Sequence, residues 1–168
     1  MKTRLNEKDI AILALIQNNC KLTAKEIARK IGIPMTTVFA KTKKMEDQEI
    51  IKGYKAILAP EKLDSNTGAI ILASVSYGSI PGTNPVSQRV VAEEIAKLAE
   101  VQEVHIITGD WDLMIKLRAE NVDAIGKFVV DKLRCIKGIE KTLTCMIFET
   151  VKETTAIALP LKKSSFSA

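Results

Sequence analysis

Apolar positions follow two different rhythms along this chain. Up to about residue 48 they recur every three or four residues, the period of a helix with one buried face. Ile10, Leu13 and Ile16 form one such set; Asn6 or the residues just before it can cap the helix, and Asn18-Asn19 end it. Ile27 and Ile31 form a second set, opened by Thr23-Ala24-Lys25-Glu26. That opening has the form of a capping box, in which the threonine accepts from the backbone and the glutamate reaches back. Gly32-Ile33-Pro34 breaks the helix and restarts it, because glycine permits a left-handed turn and proline presets the dihedral of a first helical turn. A third helix is predicted from about Met35 to Gln48. Three short helices with a glycine-containing turn before the last form the helix-turn-helix pattern, whose final helix enters the major groove.

Beyond the third helix the rhythm changes. Ile50 to Leu58 alternates well enough for a strand or narrow hairpin, and Pro60 to Gly68 reads as a polar linker. From Gly68 the order is β-α-β-β-α-β: a strand over Ala69–Tyr77, a helix over Val86–Ala99, strands over Val101–Thr108 and Leu113–Arg118 flanking Gly109-Asp110-Trp111-Asp112, a helix marked by Val122, Ile125, Val129 and Leu133, and a last strand over Ile139–Phe148. This is the split βαβ order of ferredoxin-like domains. The fold class is therefore α+β, an N-terminal helix-turn-helix followed by a ferredoxin-like βαββαβ domain. The expected boundaries are 1–59 for the first domain, 60–67 for the linker, 68–155 for the second domain and 156–168 for a C-terminal tail, mobile after Pro160.

Both helices of such a domain cover one sheet face, and strand alternation assigns residues to the other. Val104 and Ile106, and Leu113, Ile115 and Leu117, suit the covered face; His105, Met114, Lys116 and Arg118 then lie opposite. On the last strand Leu143, Cys145 and Ile147 are expected under the helices, sending Thr142, Thr144, Met146 and Phe148 to the uncovered face. A face mixing Met and Phe with Thr, Lys and Arg suits a subunit contact, so a homodimer through these sheets is expected.

Charge separates the domains by role. Residues 1–64 hold 13 Lys and Arg against 8 Asp and Glu, and residues 65–168 hold 12 of each, so the whole net charge of +5 belongs to the first part. A basic small domain beside a neutral one points to a polyanion as partner of the first. On the third helix Val38, Thr42 and Met45 share one side, while Thr36, Ala40, Lys43 and Lys44 lie opposite with Thr37 and Lys41 flanking. Short, hydroxylated and cationic side chains suit close approach to bases and phosphates. The candidate DNA-facing residues are Thr23, Pro34, Thr36, Thr37, Ala40, Lys41, Lys43 and Lys44, and the expected partner is double-stranded DNA with pseudopalindromic sites.

Several function classes are disfavoured. No apolar run reaches the roughly 18 residues a membrane span needs, and the N-terminus lacks the apolar stretch of a secretory signal, so the cytoplasm is the expected compartment. Cys20, Cys135 and Cys145 are odd in number and without a CxxC pair, which reads as structural thiols rather than a disulfide framework or a zinc site. No Ser/His/Asp grouping, glycine-rich phosphate loop or metal cluster is evident, and no cofactor is expected. Proteins of this architecture that decarboxylate tetrapyrroles would want several proton donors in a basic cavity, and this chain has a single histidine, His105. A non-specific DNA-organising protein is the other alternative, favoured by lysine over arginine on the third helix.

With both halves placed, the chain resembles the leucine-responsive/asparagine-type (Lrp/AsnC) transcription regulators over roughly residues 5–161. The resemblance rests on Leu5-Asn6-Glu7-Lys8-Asp9-Ile10-Ala11-Ile12-Leu13, Gly32-Ile33-Pro34-Met35-Thr36-Thr37-Val38, Glu49-Ile50-Ile51-Lys52-Gly53-Tyr54, Gly109-Asp110-Trp111-Asp112, Gly138-Ile139-Glu140-Lys141-Thr142-Leu143-Thr144 and Lys152-Glu153-Thr154-Thr155, in order. It implies that the helix-turn-helix is a winged one, joined to an effector-sensing α+β domain, with dimers assembling into octamers or similar rings and a small effector, often an amino acid. It also implies an effector site near Gly109, Asp110, Trp111, Asp112, Thr142 and Thr144. Carboxylates suit an α-ammonium group, while the Gly109 backbone and threonine hydroxyls can serve a carboxylate. The same four-residue stretch also reads as a tight strand connection, with glycine allowing the turn and aspartates bonding local backbone. The chain departs from the family pattern in four places: Ala40-Lys41 replaces two consecutive basic residues, Pro34 replaces a capping serine, the loop Gly78–Pro85 is longer than usual, and the tail after Pro160 extends past the pattern.

Overall fold

A computed structural model describes residues 4–76 and 87–160. The loop over Gly78–Pro85 and the tail beyond Pro160 lie outside those residues. The chain forms two units, one from the N-terminus to Ile57 joined by the segment from Glu153 onward, the other spanning Leu58–Lys152.

In the first unit α1 (Glu7–Asn18), α2 (Ala24–Ile31) and α3 (Met35–Asp47) follow their local signals closely. Asn6 caps α1 in a capping box with Asp9, and Thr23 caps α2 in another with Glu26. Gly32 ends α2 at φ +65°, in the left-handed region that costs a side-chain-bearing residue about 1 kcal/mol or more. Ile12, Ile27, Val38 and Met45 close the core, one or two residues from each helix, so this small unit depends on every one of them. The strand expected over Ile50–Leu58 does not form. The segment carries no regular secondary structure, and Ile57 and Leu58 are exposed. A ladder needs a neighbour about 4.8 Å away, and none is offered here. At the start of the expected C-terminal tail the Gln17 side chain donates to the Ile157 carbonyl at 3.1 Å and accepts from the Ile157 N–H at 3.2 Å.

The second unit contains β1 (Thr67–Val75), α4 (Gln88–Ile95), β2 (Val101–Ile106), β3 (Leu113–Ala119), α5 (Val122–Lys127) and β4 (Ile139–Met146). The four strands form one antiparallel sheet in the order β2-β3-β1-β4. Ala69, Ile71, Ala73 and Val75 of β1 and Leu113, Ile115 and Leu117 of β3 are buried under Val91 and Ile95 of α4 and Ile125, Phe128 and Leu133 of the second helical segment. That segment is not one regular helix. After α5 it passes through a π turn (Phe128–Lys132) and a 3-10 turn (Leu133–Cys135). The wider turn lets Phe128 and Leu133, five residues apart, both face the sheet.

The last strand corrects the sequence reading. Residues directly opposite on neighbouring strands share a face. Thr142 pairs with Ala73, Thr144 with Ile71 and Met146 with Ala69, so these lie on the helix-covered side, whereas Leu143 pairs with Leu72 and Cys145 with Ile70 on the uncovered side. The cause is a register shift: Ser74 pairs with Lys141 but Val75 with Ile139, leaving Glu140 as an extra residue on β4. Ile139 still faces the core, and beyond the bulge every side chain changes face. The uncovered face thus carries Ile70, Leu72, Met114, Leu143 and Cys145 beside Glu103, His105 and Lys116. His105 and Lys116 both bond Glu103 there, and the His105 hydrogen bond is the main cause holding the Glu103 carboxyl below its ordinary range.

Candidate nucleic-acid interface and effector turn

The outer face of α3 is set by which of its side chains the core takes. Val38 and Met45 point inward, leaving Pro34, Thr36, Ala40, Lys43 and Lys44 exposed and Thr37 partly so. Lys43 is paired with Asp47 one turn on, at 3.0 Å, an exposed i,i+4 pair that a phosphate can displace at little cost. Thr23 stands outside α3 and its side chain is already engaged, accepting from the Glu26 N–H and donating to the Glu26 carboxylate.

Lys41 does something other than face the groove. Its ammonium reaches back to α1 and donates to Asp9 at 2.7 Å, with only 21% of the side chain exposed. The Asp9 carboxylate therefore has two tasks, accepting from the Asn6 N–H at 2.9 Å and from Lys41. Burial raises the Asp9 pKa, but the hydrogen bonds from Lys41 and the Asn6 backbone, with the charges of Lys41 and Lys44, outweigh it and the net shift is downward from 3.8. Asp9 and Lys41 together clamp the start of α1 to the middle of α3. Asp9→Ala is expected to cost the first unit about 2 kcal/mol at neutral pH, the order of a lost cap plus a partly buried ion pair. Because the folded pKa is the lower one, the stabilisation is complete above 3.8 and is lost as pH falls through the depressed value. Denaturant unfolding of wild type and variant should show the gap closing between pH 5 and strongly acidic pH. A gap that does not change over that range would place the clamp elsewhere.

Two exposed apolar residues of α3 were not among the residues picked out from the sequence: Met35 at 53% and Phe39 at 69% exposure. An apolar residue on an amphipathic helix is ordinarily read as core, and only its angular position, away from Val38 and Met45, could have signalled otherwise.

At the turn between β2 and β3, Gly109 has φ +119°, a conformation that favours glycine, and Asp110 is exposed. Trp111 and Asp112 are partly buried. The Asp112 carboxylate accepts from the Val75 N–H at 2.7 Å and from the Gln88 amide at 2.5 Å, while its own N–H donates to the Ala73 carbonyl at 3.1 Å. It is thus a brace joining β1, β3 and the first residue of α4. Thr142 lies beyond Ala73 on β4, on the opposite side of β1 from this turn, roughly two strand spacings or 10 Å away. Thr144 is two residues further along. The structure therefore brings the turn and Thr142 to one end of the sheet without bringing their side chains into contact.

A helix-turn-helix unit with a basic third helix, followed by a four-stranded α+β unit, defines a class of two-domain transcription regulator. The family model for winged helix-turn-helix DNA-binding matches residues 5–52, and that for the Lrp/AsnC ligand binding domain matches residues 79–157. The chain is 39% identical over 149 residues to an uncharacterized HTH-type transcriptional regulator of Pyrococcus horikoshii, covering 89% of this chain and 96% of the relative. It is 32% identical to the leucine-responsive regulatory protein of Haemophilus influenzae, covering 92% of this chain and 90% of that one. Among solved structures, a transcriptional regulator of Neisseria meningitidis in complex with L-Met superposes with a TM-score of 0.84 at 25% identity, over 94% of this chain and 98% of that one. The chain belongs to the Lrp/AsnC family of transcription regulators. Among the described residues no helix is long and apolar enough to cross a membrane.

Proposed function

We propose that this regulator binds specific DNA sites through α3 and that its DNA affinity or assembly responds to a small effector, an amino acid. The observation that carries the first half is the exposed face of α3, with Thr36, Ala40, Lys43 and Lys44 presented together on the basic part of the chain. The second half is supported by the ligand-binding family domain and by the L-Met complex of the Neisseria regulator. Gly109, Asp110 and Trp111 are the residues proposed to meet the effector, with Asp112 holding the turn in place. Thr142 and Thr144 remain candidates at the same end of the sheet, in a pocket completed by a further copy of the chain. The uncovered sheet face, with five apolar side chains in two neighbouring cross-strand rows over three strands, supports a homodimer and, from it, larger rings. A two-fold dimer reads two half-sites, hence a pseudopalindromic target. Such a protein works beside DNA in the cytoplasm and binds rather than catalyses, as its named relatives are regulators.

Replacing Lys43 and Lys44 together with Ala is expected to weaken binding to all duplexes alike and to flatten the salt dependence by about 0.9 in logarithmic slope per lost phosphate contact. Footprinting against random competitor separates a specific regulator from a non-specific organiser of DNA. An unaltered slope in the folded double variant would move the DNA surface away from α3.

A further inference from the structure

Phe39 occupies an odd place for a phenylalanine. It sits mid-helix in α3, 69% exposed, although the core of its unit is closed by Val38 and Met45. Side chains at i, i+3, i+4 and i+7 share one face over two turns, and this is the spacing by which a helix lying in a major groove touches base edges. On α3 those positions are Thr36, Phe39, Ala40 and Lys43, all exposed. Thr36 and Lys43 can meet polar edges or phosphates. Phe39 has no hydrogen bond to offer, and the apolar feature of the major-groove floor is the C5-methyl of thymine. Ala40 beside it is small, leaving the ring room to approach. Phe39 also lines one side of a shallow cleft with Ile16, Cys20 and Tyr54. The neighbouring charges favour DNA over a protein as occupant: an apolar protein partner would have to desolvate the ammonium groups of Lys43 and Lys44, whereas phosphates pair with them.

We propose that Phe39 is a specificity-determining residue that reads thymine, its ring packing on the C5-methyl of a thymine in each half-site, in place of guanine reading by arginine. This rests on the DNA-binding reading above and adds to it the base that α3 selects. The test uses the full-length protein. Sites are first selected from a random duplex pool, and each thymine of the best site is then replaced by deoxyuridine, which differs only by the methyl group. Wild type is expected to lose roughly three- to fivefold in affinity at one position in each half-site, the worth of one methyl-sized apolar contact. Phe39→Ala should bind thymine and uracil probes equally there with an unchanged salt slope, and Phe39→Leu should keep part of the discrimination. Should wild type enrich a defined site yet tolerate every uracil, or should Phe39→Ala discriminate as wild type does, the inference is overturned while the DNA-binding reading stands. If no site is enriched, both fail.

Discussion

Asp112→Ala is expected to lower the stability of the second unit by about 3 kcal/mol, because removing an ionised acceptor strands a buried donor. Val75 is 2% exposed, and its N–H at 2.7 Å is the closer of the two backbone bonds that tie the turn to β1. Water cannot easily replace the carboxylate there, and one hydrogen bond of the Gln88 amide is lost in the same step. For a unit of this size such a loss lowers the melting temperature by roughly 10 to 20 °C, which thermal unfolding followed by circular dichroism would register. The result bears on effector binding too, since any loss of binding in this variant would report a disordered turn. Asp110 is the cleaner probe. It is exposed, so Asp110→Ala is expected to leave the melting temperature within a degree or two while reducing amino-acid affinity about tenfold where its carboxylate holds the ammonium group. Calorimetric titration of the twenty amino acids checks this. Wild-type stability in Asp112→Ala would contradict the bracing role, and wild-type binding in Asp110→Ala would remove Asp110 from the effector site.

Leu143→Asp is expected to turn a dimer into a monomer, raising the dissociation constant at least about 100-fold, since a carboxylate at a central apolar contact must be desolvated without a partner. Leu143 is 45% exposed and pairs with Leu72 on the uncovered face, so the substitution should leave the subunit folded. Thr144→Asp, one residue on but directed to the helix-covered side, should leave the dimer through the uncovered face near wild type. Sedimentation velocity at micromolar concentration distinguishes the two. The face assignment taken from simple alternation would give the reverse order, so the pair of variants also tests the bulge at Glu140. A dimer in both would locate the interface elsewhere.

Much of this protein was legible before its structure. The three helices, the Asn6 cap, the Thr23–Glu26 capping box, the glycine stop at Gly32, the β-α-β-β-α-β order and the inward sides of β2 and β3 all follow from signals spanning a few residues. Caps, periodicity and turn chemistry act within one or two turns of chain, and a single sequence displays them in full. The basic face of α3 was legible for the same reason, as an angular pattern on one helix. What the sequence by itself left open depends on partners far along the chain. Lys41 looks like a groove-facing cation until Asp9, 32 residues earlier, is brought within 2.7 Å. Asp112 looks like an available carboxylate until β1 and α4 supply donors from 37 and 24 residues away. On β4 local alternation is intact, yet one unpaired residue, visible only against β1, sends Leu143 and Cys145 to the opposite face from the one their apolarity suggested. Periodicity determines which residues share a side, but only the pairing of strands determines which side meets the helices, because that choice is made by hydrogen bonds to another part of the chain.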